Sequence, residues 1–227
     1  MQLIFIHGSG GCAEGWQYQT EAFGNADAIN LPGHPDGDLI DSIDGYVEWL
    51  HAYINKKGYK DVILVGHSLG GGIALLHALL HPKQLKAIIT VGSGARLRVH
   101  PMFLEGLAKA VEAPQLYEKS LTPNPLIEPE LDKRINERRL ENGPAAALND
   151  MRACDKFDIM ERLGEISVPV LAVCGSNDEM TPAKYTQFMV DKIPQAKAVI
   201  IPDGTHWVFA EKPDAVNLAI SDFLAAL

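Results

Sequence analysis

The sequence predicts an α/β protein: a doubly wound, mostly parallel sheet of about six strands, with helices on both faces and an inserted helical lid. Three observations carry that prediction. Short apolar runs recur along the chain, segments of helical spacing separate them, and one connection is far longer than a strand-to-strand crossover needs.

The strand candidates are Leu3–Ile6, Ala26–Leu31, Val62–Val65, Ala87–Val91, Val170–Val173 and Ala198–Ile201. Most are continuous apolar runs, the pattern of parallel strands covered on both faces. Ser42 is placed to cap a helix whose apolar positions Ile43, Tyr46, Val47, Leu50 and Ile54 recur every three or four residues. Gly58 is placed to end it. A helix over Leu69–His81 follows the third strand. Pro182 and Pro213 read as first-turn residues, where a missing amide costs little. The last helix is expected to bury Val216, Ile220, Phe223 and Leu227. From Gly92 to Ser167 the connection runs for about 75 residues, against the ~10–12 that a β-α-β crossover requires. Pro101, Pro114, Pro123, Pro125, Pro129 and Pro144 interrupt it, so we expect several short helices over one end of the sheet. Insertions at the carboxyl ends of parallel strands tend to cover ligand sites. The expected organisation is a core of residues 1–93 and 164–227 with a helical lid at 94–163.

The bulk composition excludes several classes. With 227 residues, 47% hydrophobic and 22% charged, the chain suits one well-packed domain. A net charge of −9 argues against a phosphate-tracking nucleic-acid surface. No apolar run approaches the ~20 residues of a membrane span. A strand-like run begins at Leu3 with no basic leader before it, so a cytoplasmic location is expected. Cys12, Cys154 and Cys174 are odd in number and far apart, and no C-x-x-C pair appears. Neither a disulfide framework nor a zinc site is indicated. Cys174 reads as a small buried hydrophobe. Cys12, in a glycine-rich loop, has room to be exposed but no neighbouring base. No cofactor is called for, and the sequence gives no handle on oligomeric state.

The chemistry begins at Gly66-His67-Ser68-Leu69-Gly70. It fits G-x-S-x-G between a predicted strand and a predicted helix, the setting that makes Ser68 a nucleophile on a sharp turn. A serine needs a base, and the base an orienting acid. In this architecture they follow in the order Ser, Asp, His on later strand-end loops. Asp178 lies in "CGSNDEMTP" after the fifth strand, and His206 in "PDGTHWVFAEKP" after the sixth. Glu179 reads as a solvated loop charge and Asp203 as a turn former. His34, His51, His77, His81 and His100 have no partner argument and read as surface or packing residues. His7 and His67 belong to backbone-shaping motifs. The loop in "FIHGSGG" completes the set: the Ser9 and Leu69 amides can hold a developing oxyanion, each donor being worth about 3–4 kcal/mol. Gly8-Ser9-Gly10-Gly11-Cys12-Ala13 also matches a dinucleotide fingerprint. The acidic residue expected ~20 positions on is instead Asn30, so that reading is rejected.

Taken together, "HGSGG", Trp16 and Gln19 in "WQYQ", "NLPGHPDGD", "GHSLGG", "GSNDEMTP" and "GTHWVFAEKP" resemble the α/β-hydrolase superfamily over nearly the whole chain. The resemblance implies Ser68 as nucleophile, Asp178 as orienter and His206 as general base and acid, with Ser9 and Leu69 as backbone donors. Members usually open with an antiparallel hairpin that this chain lacks, which implies a sheet trimmed at one edge. The expected function is hydrolysis of small to medium carboxylic esters through an acyl-enzyme on Ser68. Met102, Phe103, Leu107, Phe157 and Met160 are expected to form a compact apolar pocket. Carbon–carbon bond hydrolases, thioesterases, lactonases, hydroxynitrile lyases and perhydrolases share the triad and stay open, as does a small-ligand receptor with vestigial turnover. Epoxide hydrolases and dehalogenases place a carboxylate where this chain has Ser68.

Overall fold

A computed structural model describes all of residues 1–227. In chain order the elements are β1 (Gln2–Ile6), α1 (Gln17–Ala22), β2 (Ala26–Ile29), α2 (Ile43–Lys57), β3 (Val62–His67) and α3 (Leu69–Leu80). There follow β4 (Leu85–Val91), α4 (Pro101–Glu112), α5 (Gln115–Ser120) and α6 (Pro129–Lys156). The chain closes with β5 (Val170–Gly175), α7 (Ala183–Lys192), β6 (Ala196–Ile201), α8 (Val208–Glu211) and α9 (Pro213–Ala225).

All six strands pair in parallel, in the order β2-β1-β3-β4-β5-β6. The expected strands are all present, with ends that move for physical reasons. β2 stops at Ile29 rather than Leu31, because the Leu31 amide turns to the imidazole Nε2 of His7 at 3.0 Å. β6 is an edge strand, and Ala198 and Ile200 are exposed rather than buried.

The pleat sorts the central strands by alternate residues. Ile4, Ile6, Val62, Leu64 and Ile88 pack with α2, α3 and Met189 of α7. Leu3, Phe5, Ile63, Val65 and Ile89 face the other way, toward Trp16 and Val216, Ile220 and Phe223 of α9. Helices therefore cover both faces. No helix is long and apolar enough to cross a membrane.

Local signals place the helix ends. Ser42 Oγ accepts from the Gly45 amide at 3.3 Å, and Gly58, at φ 67°, ends α2. Pro213 opens α9 as expected, whereas Pro182 sits one residue ahead of α7 as its cap. α3 stops at Leu80, with His81 as its cap. Leu227 lies beyond α9 and is exposed, because the helix ends at Ala225.

Between β4 and β5 three prolines start helices rather than interrupt them. Pro101 opens α4, Pro114 precedes α5 and Pro129 opens α6. α6 itself breaks at Gly143, immediately before Pro144.

The strand order fixes where a ligand can sit. From β1 the chain crosses to β2 on one side, and from β3 to β4 on the other. The loops leaving these neighbouring strands diverge, and a crevice opens at their carboxyl ends.

Candidate active site

Ser68 follows β3 directly and holds φ 51°, ψ −113°, outside the regions an ordinary side chain prefers. The strain is tolerated because the turn is tied on several sides. The Ser68 amide donates to Val91 O at 3.0 Å, and Ser93 Oγ donates to Ser68 O at 2.7 Å. Two glycines make the bend geometrically possible. A Cβ on Gly66 would lie 2.1 Å from Gly70 O, and one on Gly70 would lie 2.4 Å from Ile6 O. Any side chain at either position would force strand and helix apart.

Asp178 and His206, 28 residues apart in sequence, meet above β5 and β6. His206 Nδ1 lies 2.9 Å from Asp178 Oδ2, and both residues are buried. The carboxylate is fully occupied. Oδ1 accepts from the amides of Met180 at 2.9 Å and Thr181 at 2.8 Å, while Oδ2 also accepts from Thr181 Oγ1 at 2.8 Å. Burial pushes the Asp178 carboxyl up, but the His206 hydrogen bond and charge and the Thr181 donors outweigh it and hold the group below its ordinary value. An ionised Oδ2 facing Nδ1 keeps the proton on that nitrogen and leaves Nε2 free to accept.

Neighbours fix the His206 backbone as well. His67 Nε2 donates to His206 O at 2.9 Å, and Glu211 accepts from the Thr205 amide at 2.7 Å and from the Thr205 hydroxyl. Between the two loops, Gly92 at the end of β4 holds φ 53°. A Cβ there would lie 3.1 Å from Asp178 Oδ2 and 3.2 Å from His206 O. A side chain there would press on the pair, at a φ that side-chain-bearing residues rarely adopt.

Ser9 stands on the loop after β1, and its amide has no acceptor within the chain. The Leu69 amide lies in the first turn of α3, where helical geometry supplies no partner. The loop carrying Ser9 is anchored through a residue that no sequence motif marks. Asp150 of α6, fully buried, accepts from the Gly10 amide at 2.8 Å, from His34 Nε2 at 2.9 Å and from the Tyr46 hydroxyl at 2.7 Å. Asn142 Nδ2 adds a bond to Gly11 O at 2.7 Å. His34, read from the sequence as having no partner, is thus a buried partner of Asp150. Burial opposes a charge on His34, but the hydrogen bond and charge of Asp150 outweigh it and raise the imidazole above its ordinary value. Beside it, His7 donates from Nδ1 to Gly8 O and accepts the Leu31 amide at Nε2, and burial lowers its pKa to about 4. It is a neutral strut. A signal for Asp150 was present: Ala146, Ala147, Asp150, Ala153 and Cys154 recur at helical spacing and form one buried stripe.

The family model described as "Alpha/beta hydrolase family" matches residues 3–219. The chain belongs to that family. The chain is 26% identical over 243 residues to the dihydrolipoyllysine-residue acetyltransferase component of an acetoin cleaving system from Pseudomonas putida. The match takes in 98% of this chain but spans only 63% of that relative's length. It is also 26% identical over 250 residues to a 2-hydroxy-6-oxononadienedioate/2-hydroxy-6-oxononatrienedioate hydrolase of Paraburkholderia phymatum, covering 98% of this chain and 86% of that one. A solved thermophilic esterase is 33% identical, with a TM-score of 0.83 and coverage of 99% of this chain and 90% of that one.

Within this fold, Ser68, His206 and Ser9 line one small cavity of about 50 Å³, walled by Leu97, Met151 and Cys154 among others. No hydrogen bond joins Ser68 Oγ to His206 here, so the structure brings the two groups to one cavity without linking them. The expected apolar pocket does not form as a unit. Met102 and Phe103 are 72% and 60% exposed on α4, and Phe157 is buried in the core. Leu107 packs against Ala110, Tyr117 and Ala147. Only Met160 reaches a cleft near the site.

The thiols offer no rival nucleophile. Cys12 is buried rather than exposed, as are Cys154 and Cys174. Burial raises the first two to about 12 and Cys174 to about 11. Glu179 is exposed, and Asp203, at φ 58°, shapes its turn.

Proposed function

We propose that this chain is a serine hydrolase of carboxylic esters, with Ser68 as nucleophile, His206 as general base and acid, and Asp178 as its orienter. The observation that carries the reading is the buried 2.9 Å contact of His206 Nδ1 with Asp178, at a cavity shared with the strained Ser68. Ser68 Oγ attacks the ester carbonyl as its proton passes to His206 Nε2. The carbonyl oxygen becomes an oxyanion, held by the Ser9 and Leu69 amides. His206 returns the proton to the departing alcohol oxygen as the carbon–oxygen bond breaks, leaving an acyl group on Ser68. Water then attacks the acyl carbon and gives a proton to Nε2. The tetrahedral intermediate releases the acid, and the proton returns to Ser68. The missing Ser68–His206 bond is one that substrate binding draws in, since such contacts tighten in the Michaelis complex.

The segment 94–163 acts as the lid in this reading, since Leu97, Met151 and Cys154 form part of the cavity wall above Ser68. Likeness to an esterase at 33% identity supports ester chemistry. Likeness to a carbon–carbon bond hydrolase, at 26%, makes a vinylogous diketone the necessary second substrate to try.

The test is steady-state turnover of 4-nitrophenyl butyrate and the diketone by the wild-type protein, with Ser68→Ala as blank. Sustained ester turnover, abolished in Ser68→Ala, is expected. Equal rates in the two proteins, or a single slow burst with no turnover, would overturn the assignment.

A further inference from the structure

The Ser68 cavity is too small for most of a substrate, and a larger space adjoins it. A cleft of about 390 Å³ lies beside it, of the size that holds a small organic ligand. Arg98 and Tyr185 line both spaces, so the cleft borders the Ser68 cavity across these two side chains. Met160, Tyr185 and Phe188 give the cleft apolar walls, and Arg96, Arg98 and Lys184 give it three cations.

No acidic side chain lines the cleft, in a chain whose net charge is −9. Arg96 is engaged by Asp158 at 3.4 Å. Arg98 and Lys184 form no ion pair, and the Lys184 ammonium lies 5.8 Å from the Tyr185 ring centroid. The placement follows from the backbone after β4. Ala95 and Leu97 are buried while Arg96 and Arg98 are exposed, the two-residue alternation of an extended segment. An antiparallel bridge from Arg96 to Asp158 pins that segment in place. Two unpaired cations at the mouth of an apolar-walled cleft recognise a ligand with an apolar body and an anionic end.

We propose that the substrate is an ester bearing an anionic group, carboxylate or phosphate, which sits on Arg98 and Lys184 while its ester carbonyl reaches Ser68. This deepens the hydrolase reading and rests on it.

The experiment compares kcat/KM for matched esters. Mono-4-nitrophenyl glutarate against 4-nitrophenyl pentanoate puts the charge on the acyl side. The acetate ester of 4-hydroxybenzoate against that of its methyl ester puts the charge on the alcohol side, and 4-acetoxyphenyl phosphate replaces the carboxylate by phosphate. At least one anionic ester should exceed its neutral partner by about tenfold, the effect of a partly solvated charge contact. The pair that responds identifies the half of the substrate in the cleft, and the better of the two anions identifies its source. In the Arg98→Gln/Lys184→Gln protein, and at 0.5 M salt, that anionic-to-neutral ratio should fall toward one. Turnover of all the esters without preference for charge, or a preference unchanged in the double variant, would overturn this proposal and leave the hydrolase reading standing. No turnover of any ester would instead overturn the hydrolase reading.

Discussion

Replacing Asp150 should damage stability and turnover together, by routes that can be separated. Its carboxylate accepts from Gly10 N, His34 Nε2 and the Tyr46 hydroxyl, all inside the protein. Alanine would strand three buried donors at about 1–3 kcal/mol each. Partial relaxation brings the expected loss to about 3–5 kcal/mol, the range seen when one partner of a buried charged pair is removed. Asparagine keeps one acceptor and should cost about 1–3 kcal/mol. Gly10 neighbours Ser9, so loss of the Gly10 tether frees the loop that supplies one proposed oxyanion donor. A donor of that kind is worth about 10²–10³ in kcat. Urea unfolding gives the first quantity. The second comes from kcat and KM of Asp150→Ala for 4-nitrophenyl butyrate, well below its melting temperature, with Asp150→Asn as the variant expected to fold. A fall in kcat at nearly constant KM is expected for alanine, and a smaller one for asparagine. His34 adds a pH signature. Its folded pKa is raised, so its stabilisation is complete below the unfolded value of ~6.5 and disappears as pH rises through the folded value. The stability gap between wild type and Asp150→Asn should therefore narrow from pH 6 to pH 9. A folded alanine variant with wild-type kcat, or a gap that widens with pH, would refute the tether.

Two further outcomes follow from the structure. Gly92→Ala puts a methyl group 3.1 Å from Asp178 Oδ2 at φ 53°; kcat/KM should fall at least about tenfold, and full activity would show that the His206–Asp178 contact tolerates displacement. Acid should destabilise the protein across pH 6.5 to 4. Burial lowers His7 and His77 to about 4 and His67 well below its ordinary value, so the unfolded chain binds more protons there and stability falls with pH. Each of His7 and His77 contributes about 2 kcal/mol to that loss at pH 5 relative to pH 7. Urea midpoints by circular dichroism at the two pH values test this, and equal midpoints would contradict it.

The sheet was legible because its strands are local and apolar, and the strained turn at Ser68 because G-x-S-x-G carries its own backbone demand. The meeting of Asp178 and His206 was legible from their positions, each in the loop after its strand, while their proposed roles await the assay. What escaped was tertiary. His34, Tyr46 and Asp150 lie more than 100 residues apart across the contacts that join them, and no motif links their types. The apolar residues of α4 do not form a pocket: an apolar residue on a helix does not reveal which face is covered. Met102 and Phe103 point outward on α4, while Ala110 of the same helix is buried. Thr181 was invisible for a simpler reason: its hydroxyl matters only because Asp178 folds back over it.

The site draws on both sides of the crevice. β1 leaves the sheet toward β2 and delivers Ser9, while β3 leaves toward β4 and delivers Ser68 and Leu69. Divergent loops have no reason to hold a fixed spacing unless a third element bridges them. α6 is that element. Asn142 and Asp150 grip the first loop, and Met151 and Cys154, on the turns beside Asp150, form a wall of the cavity over Ser68. Movement of α6 would therefore carry the proposed oxyanion loop and the cavity wall together. Changes along its buried stripe should alter substrate fit and transition-state stabilisation jointly. Changes on its exposed side, where Lys133 and Glu137 pair at 4.0 Å, reach neither.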